Sequence, residues 1–139
     1  MNNFFCRVYH EDTDSGGIVY HANYFKYIER ARTESLRNVG LFQSKIKDQF
    51  KLTFVVKNIF AEFIKPAKLD DFLEIKSNFI KFGMVSIKLE QEIFLNDMKI
   101  FGAEIKLGII DINGKPKKLP AEIKVKLEKL LNNSVKILN

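Results

Sequence analysis

Mostly hydrophobic residues occupy every second position in three stretches of the C-terminal half, at residues 73–79, 85–93 and 101–109. A period of two is typical of β-strands that bury one face. Turns at Gly83 and Asn96-Asp97 separate the stretches, and short turns join antiparallel neighbours. We therefore predict three consecutive antiparallel strands. The positions predicted to face the core are Leu73, Ile75, Ser77, Phe79, Val85, Ile87, Leu89, Gln91, Ile93, Phe101, Ala103, Ile105, Leu107 and Ile109.

The N-terminal half contains a helical period instead. The residues that recur at steps of three and four are Tyr24, Tyr27, Ile28, Ala31, Ser35 and Val39. This spacing predicts an amphipathic helix over residues 22–39, about 27 Å long at about 1.5 Å per residue. Asn23 is a suitable N-cap for it, and Gly40 is a natural stop.

Weaker patterns flank these elements. Residues 3–10 are typical of a strand, residues 43–51 of a polar connection and residues 53–64 of a long strand, whereas residues 121–131, after Pro120, are typical of a final helix. The order is strand, long helix, four strands and short helix. It indicates one α+β domain spanning all 139 residues, in which one sheet face packs on the helix and the other needs cover.

Composition narrows the class of protein. The net charge is +6, but the lysines are spread along the chain, which favours a solvated surface or a ligand with several phosphates over nucleic-acid binding. The single cysteine, Cys6, excludes an internal disulfide and a cysteine zinc cluster, and a lone thiol is typical of a reducing cytosol. No apolar run approaches the roughly 20 residues of a membrane helix. We expect a cytoplasmic protein without stable membrane insertion.

The chemistry is concentrated in residues 8–24, VYHEDTDSGGIVYHANY. This stretch places carboxylates, a glycine turn and a histidine directly before the predicted helix. A carboxylate beside a helix N-terminus can attack a carbonyl, or aim water at it, while free backbone N–H groups polarise the carbonyl oxygen. The pattern indicates a hydrolase. Glu11 and Asp12 are expected to hydrogen-bond the turn backbone.

The string EDTDSGGIVYHANYFKYIERAR resembles the signature of the hotdog-fold acyl-CoA thioesterases of the 4-hydroxybenzoyl-CoA thioesterase class, and within it the YbgC-like branch associated with the Tol-Pal system. Residues 63–71, 86–93 and 114–120 are similar to later segments of the same family. The resemblance covers residues 8–120. It implies a long central helix wrapped by a five-stranded antiparallel sheet, dimers that join two sheets edge to edge, frequent pairing into homotetramers, and active sites at subunit interfaces.

The resemblance also implies roles for individual residues. Asp14 matches the catalytic aspartate, acting as a nucleophile that forms a mixed anhydride or as a general base for water. His21 matches the histidine of the YbgC-like branch, where it would position the water, hydrogen-bond the thioester or protonate the departing thiolate. Gly16 and Gly17 would let the backbone approach the substrate, with oxyanion donors among the N–H groups around His21.

Two further residues are candidate substrate contacts. Tyr24 would line the acyl pocket or belong to the core. Lys81 would meet the phosphates of coenzyme A or lie on a solvated face. The implied reaction is hydrolysis of an acyl-CoA to a carboxylic acid and coenzyme A, without a metal or redox cofactor.

Three alternatives compete with hydrolysis. A hotdog dehydratase or hydratase is disfavoured because its histidine and Pro-Gly-His element are missing, and a metal hydrolase because two scattered histidines have no ligand spacing. The third is a non-catalytic or weakly catalytic hotdog module that binds acyl carrier protein, a phospholipid-synthesis enzyme or RNA. Such a module would keep the fold without needing Asp14.

Overall fold

The computed structural model describes the backbone of residues 3–138 and the side chains of residues 3–131. A five-stranded antiparallel sheet in the order β1-β3-β4-β5-β2 packs against two long helices, of 16 and 18 residues. The elements in chain order are β1 (Asn3–Arg7), a 3-10 turn (His10–Asp12), α1 (Asn23–Asn38), α2 (Gln43–Phe50), β2 (Leu52–Phe63), β3 (Phe72–Phe82), β4 (Ser86–Leu95), β5 (Met98–Asp111) and α3 (Ala121–Leu138). The expected α+β class is confirmed.

The core lies between α1 and the inner face of the sheet. Along β3, β4 and β5 the alternating positions are buried as predicted, and Ile75, Ile87 and Leu89 have no exposed surface. The prediction is wrong for Val85, which lies in the turn before β4 and is 37% exposed. On α1, Tyr27 and Ile28 face the sheet and are almost completely buried. Short turns join β3 to β4 and β4 to β5, so these three strands are consecutive antiparallel neighbours as expected.

A buried polar cluster ties α1 to the sheet. Gln91 of β4 is fully buried, and its amide donates hydrogen bonds to the backbone oxygen of Ile28 and to Ser77 Oγ, both at 2.8 Å. Its own oxygen accepts a longer bond from Arg32 at 3.4 Å. Burial lowers the pKa of Arg32. Satisfied polar groups of this kind fix the position of a helix on a sheet more narrowly than apolar contact does.

Four local predictions need correction. The polar connection at residues 43–51 contains the helix α2, which has one buried residue, Ile46, and therefore shows no helical period. Asn23 is not the N-cap, because the chain is already helical at Ala22 and no side chain caps the helix. The first strand ends at Arg7 rather than residue 10, and α3 continues to Leu138 rather than residue 131.

The two edges of the sheet differ in length. β1 has 5 residues and is paired only with β3, whereas β2 has 12 residues and is paired only with β5. The long β2 carries exposed Val56, Phe60 and Phe63. Among the elements that the structure describes, no helix is both long and apolar enough to span a bilayer.

Candidate active site

Asp14 lies at the base of a three-residue turn between two short paired segments. Its N–H donates to the oxygen of Ile18 at 2.9 Å, and its own oxygen accepts the N–H of Gly17 at 3.0 Å. Gly17 has φ +83°, a left-handed conformation that costs a side-chain-bearing residue about 1–2 kcal/mol. Such a hairpin loop, a turn closed by a left-handed glycine, needs no distant contacts to form.

The Asp14 carboxylate is exposed and held by its own loop. Its Oδ1 accepts the N–H of Gly16 at 2.8 Å. A Cβ at Gly16 would lie 3.2 Å from the same oxygen, which is closer than ordinary van der Waals contact. At Gly17, by contrast, a Cβ would meet nothing within 4 Å. The two glycines therefore have different roles. Gly16 leaves room for the carboxylate, and Gly17 permits the turn.

Asp12 ties this loop to its surroundings. Its Oδ2 accepts the backbone N–H of Tyr9 at 2.8 Å, which confirms the expected bond to the turn backbone. The same expectation is wrong for Glu11, whose exposed side chain forms no hydrogen bond within the described part of the chain. Its backbone oxygen accepts two hydrogen bonds, from the N–H of Tyr20 at 2.9 Å and from Asn23 Nδ2 at 2.8 Å. The side chain of Asn23 thus anchors the loop to the first turn of α1.

A distant segment supports the other side of the loop. The N–H of Val19 donates to the oxygen of Ala67 at 2.9 Å, and Ile18 forms a β-bridge with Lys68. The N–H of Ala67 in turn donates to the hydroxyl of Tyr24 at 3.0 Å. The sequence analysis did not identify Ala67 as part of the site, because nothing local links it to residues 14–21.

His21 is exposed and lies immediately before α1. Its ring contacts Tyr20, with ring centroids 4.6 Å apart, and the edge of Phe63, with centroids 6.3 Å apart. Within the described part of the chain, the backbone N–H groups of His21 and Ala22 have no acceptor. They lie at the positive end of the α1 dipole, where unsatisfied donors favour a developing negative charge.

An aromatic cluster extends from His21 into the core. Tyr24 is 4% exposed and stacks on Phe101 at a centroid distance of 5.3 Å. Phe63, which is 48% exposed, packs its edge against both rings and against Phe25. Tyr24 is thus a core residue whose hydroxyl is already bonded, and its proposed contact with the acyl group stays a prediction. Sequence reasoning missed Phe63, although its register opposite Phe101 is a signal once β2 is paired with β5.

Burial keeps the titratable side chains behind the loop, Tyr24, Tyr27 and Cys6, in their neutral forms. Burial, together with the neighbouring Asp12, raises the pKa of Tyr27, and burial raises the pKa of Tyr24 as well. Burial also raises the pKa of the Cys6 thiol to about 11, with Arg30 opposing the shift. Because a thiol with this pKa stays protonated at neutral pH, Cys6 has no nucleophilic thiolate there. The exposed Asp14 carboxylate and His21 imidazole remain as the candidate reactive groups.

Lys81 does not join this cluster within one chain. The loop contacts the segment that leads into β3 at Phe72, whereas Lys81 lies near the other end of that strand. At about 3.3 Å per residue the two points are roughly 30 Å apart. Among residues 3–131, no group of three or more His, Cys, Asp or Glu side chains is arranged to hold a metal ion.

Comparison with known proteins places this chain in a family. Residues 16–101 match the family model described as the thioesterase superfamily. The "Acyl-CoA thioesterase YbgC" of Haemophilus influenzae is 38% identical over 122 residues, which cover 87% of this chain and 90% of that protein. A crystal structure of a probable thioesterase from Bartonella henselae superposes with a TM-score of 0.82 at 34% identity, covering 85% of this chain and 98% of that one.

A hypothetical protein from Aquifex aeolicus, AQ1494, superposes with a TM-score of 0.84 at 34% identity, covering 90% of this chain and 98% of that one. The matches to these three proteins cover 85–90% of this chain, far more than the loop that carries Asp14. The chain belongs to the thioesterase superfamily and has its hotdog fold.

Proposed function

We propose that this protein is an acyl-CoA thioesterase, in which water and an acyl-CoA give a carboxylic acid and free coenzyme A. The observation that carries the proposal is the exposed Asp14 carboxylate, fixed by Gly16 on a loop that leads to two free N–H groups at the start of α1. Similarity to proteins named YbgC acyl-CoA thioesterase supports the choice of substrate class.

The reaction follows from the placement of these groups. The thioester oxygen accepts hydrogen bonds from the N–H groups of His21 and Ala22, which stabilise the negative charge of the tetrahedral intermediate. Asp14 either attacks the carbonyl carbon, giving a mixed anhydride that water then cleaves, or removes a proton from the attacking water. In both routes the C–S bond breaks, and His21 supplies a proton or a hydrogen bond to the thiolate.

A homo-oligomer completes the proposal. The free edge of β2 spans 12 residues and exposes three large hydrophobic side chains. An unpaired strand of this length is a ready surface for edge-to-edge pairing, which favours a dimer joined through β2. Pairing would bring residues of a second chain to the site. Lys81 is too far from Asp14 of its own chain, so it would bind coenzyme A phosphates only at the Asp14 site of another chain. The proposed cytoplasmic location rests on the single cysteine, Cys6, which is typical of a reducing compartment. The proposed association with the Tol-Pal system rests on the branch resemblance alone. Acyl carrier protein is a further candidate partner.

Thiol release from a panel of short, long and aromatic acyl-CoAs tests the proposal, with wild type and Asp14→Asn compared. Asparagine keeps the oxygen that accepts the Gly16 N–H, so the loop keeps its shape while the negative charge is lost. We expect a fall of at least about 100-fold in kcat/KM, or roughly 2.7 kcal/mol in the barrier.

Glu11→Gln is the matched control, since Glu11 is an exposed carboxylate three residues away. It should retain wild-type turnover. If no acyl-CoA is hydrolysed, or if Asp14→Asn matches wild type, the enzymatic proposal fails, and binding of acyl carrier protein becomes the function to test.

A further inference from the structure

Phe63 presents an open apolar surface beside the candidate active site. It is 48% exposed, although it lies on the inner face of the sheet in register with Phe101, which has no exposed surface. Its ring makes edge-to-face contacts, at interplanar angles of 72–86°, with the rings of His21, Tyr24, Phe25 and Phe101. These contacts hold the ring in one orientation, yet about half of its surface touches no other part of the described chain.

The backbone fixes Phe63 next to the reactive loop. The N–H groups of the next two residues both donate to the oxygen of Ile100, at 2.8 and 3.1 Å. A few residues further on, the oxygen of Ala67 accepts the N–H of Val19. One short segment therefore carries the Phe63 ring and supports the loop that holds Asp14. The ring has a fixed position relative to the candidate oxyanion donors.

The rings behind Phe63 close the direct route from His21 into the core. Tyr24 and Phe101 are parallel within 10°, with centroids 5.3 Å apart. The Phe63 ring covers this pair, with its centroid 5.4 Å from that of Tyr24 and 5.2 Å from that of Phe101. Aromatic rings at these distances are in contact. An acyl group bound here therefore does not pass between them and lies across Phe63 instead.

The two ends of an acyl-CoA differ in what they prefer to contact. When the thioester oxygen accepts the N–H groups of His21 and Ala22, the carbonyl carbon lies beside His21, whose ring centroid is 6.3 Å from that of Phe63. The coenzyme end carries amides and phosphates, which lose free energy when they leave water without new partners. The acyl end carries the apolar carbons, which gain free energy when they leave water. The acyl end is therefore the part that suits Phe63.

We propose that Phe63 determines acyl specificity by forming an apolar platform for the carbons next to the thioester carbonyl. The substrate class is then acyl-CoAs that are apolar directly beyond the carbonyl, with either an aromatic ring or a straight chain of about four carbons or more. An acetyl group is too short to cover the ring. A succinyl group would bring a carboxylate onto the ring and lose hydration there. This inference rests on the proposed thioesterase function.

The expected preference follows from contact on one side of the acyl group. Full burial of a methylene group favours binding by a factor of about four, so contact on one side contributes about two-fold for each methylene. A hexanoyl group has four more methylenes than an acetyl group, and hexanoyl-CoA should be preferred by roughly 15-fold in kcat/KM. Because the contact exists both before and during the reaction, most of this preference should appear in KM.

Hydrolysis of hexanoyl-, benzoyl-, acetyl- and succinyl-CoA by Phe63 variants tests the proposal. In Phe63→Ala the preference for hexanoyl-CoA over acetyl-CoA should fall to about two-fold, and the ratio of succinyl-CoA to acetyl-CoA should stay unchanged. Phe63→Leu restores an apolar surface without a ring. It should keep most of the preference for hexanoyl-CoA and lose part of that for benzoyl-CoA, which depends on contact between rings.

Phe60→Ala is the matched control. Phe60 lies on the same strand and is 73% exposed, but it is opposite Glu104 on the other face of the sheet. Its removal should leave the ratio of hexanoyl-CoA to acetyl-CoA unchanged. Tyr20→Ala removes the other exposed ring that contacts His21 and should also keep the ratio. Circular dichroism checks the fold of each variant, and sedimentation velocity checks that its number of copies matches wild type.

Binding to Asp14→Asn separates this inference from the proposed reaction. Isothermal titration calorimetry measures the Kd of hexanoyl-CoA and acetyl-CoA for Asp14→Asn, with and without Phe63→Ala. The same loss of preference is expected, because the contact with the acyl group does not require hydrolysis.

The inference is overturned if Phe63→Ala keeps the wild-type ratio, if Phe60→Ala changes the ratio equally, or if Asp14→Asn binds neither acyl-CoA. Hydrolysis by wild type without discrimination between acyl groups removes the platform and leaves the thioesterase proposal standing. Selective binding of hexanoyl-CoA through Phe63, without hydrolysis by wild type, supports the platform and refutes the thioesterase proposal.

Discussion

We expect Gly16→Ala to lower the rate of thioester hydrolysis while leaving the stability of the fold nearly unchanged. Only the left-handed glycine of the loop, Gly17, requires a special backbone conformation. At Gly16 the added methyl group would instead lie 3.2 Å from Asp14 Oδ1. Because the methyl group is fixed to the backbone, the carboxylate must move by a few tenths of an ångström, and its 2.8 Å bond to the Gly16 N–H weakens.

The expected magnitudes differ for rate and stability. A misplacement of about 1 Å costs an enzyme up to about 100-fold in rate, so a few tenths of an ångström should cost about 10-fold, or about 1.4 kcal/mol in the barrier. Weakening one exposed charge-assisted hydrogen bond destabilises the fold by about 1.5 kcal/mol at most. The change from glycine to alanine also stabilises the fold by about 0.4–1 kcal/mol, because it lowers the conformational entropy of the unfolded chain. The free energy of unfolding should therefore change by less than about 1 kcal/mol.

Gly17→Ala is the matched control and should behave in the opposite way. Its methyl group meets nothing, but its φ of +83° costs about 1–2 kcal/mol, which lowers Tm by roughly 3–7 °C in a chain of this length. Steady-state thiol release and thermal unfolding of both variants measure the two effects. Wild-type kcat in Gly16→Ala, or a larger loss of stability there than in Gly17→Ala, would refute the assignment of the two glycines.

Two further predictions concern the core. Gln91→Met keeps the length of the side chain but removes its hydrogen bonds to Ile28 and Ser77, so the free energy of unfolding should fall by about 2 kcal/mol; an unchanged urea midpoint would contradict this role. Burial raises the pKa of Cys6 from 9.0 to about 11, so between these pH values the unfolded chain releases a proton that the folded chain keeps, and stability should fall as pH rises. In Cys6→Ser, the free energy of unfolding measured with urea should fall less between pH 8 and pH 10 than it does in the wild type. An identical pH dependence in both proteins would disprove the contribution of Cys6 to stability.

Sequence patterns predicted the elements that bury one face. α1 and β3–β5 each have a clear core side, so hydrophobic periodicity located them. α2 buries only Ile46 and leaves no period to detect. Asn23 has a side chain suited to capping, but its amide is bonded to the backbone oxygen of Asp12, a use that local propensity does not reveal. Nor does alternation show that β2 pairs with β5 instead of β3, because it is the same for either neighbour.

In the candidate site, too, sequence patterns revealed local features but not contacts between distant residues. Asp14, Gly16 and Gly17 are within four residues, so the turn chemistry was visible in the sequence. The contact between His21 and Phe63, and the support that Ala67 gives the loop, join residues more than 40 positions apart. They arise only when β2 and the segment before β3 pack beside α1. Patterns within a short window do not contain that information.

The bonds from Val19 to Ala67 and from Val8 to Asp71 also determine when in folding the site appears. Each one closes a loop of roughly 50 residues or more, and contacts so distant along the chain are entropically costly and slow to form. The turn around Asp14 can form early, but its support arrives only with the strands that follow. A ribosome-bound chain that ends before residue 67 therefore carries the proposed catalytic residues, Asp14 and His21, without the segment that supports their loop. Recovery of activity during refolding is consequently a reporter of sheet completion rather than of helix formation.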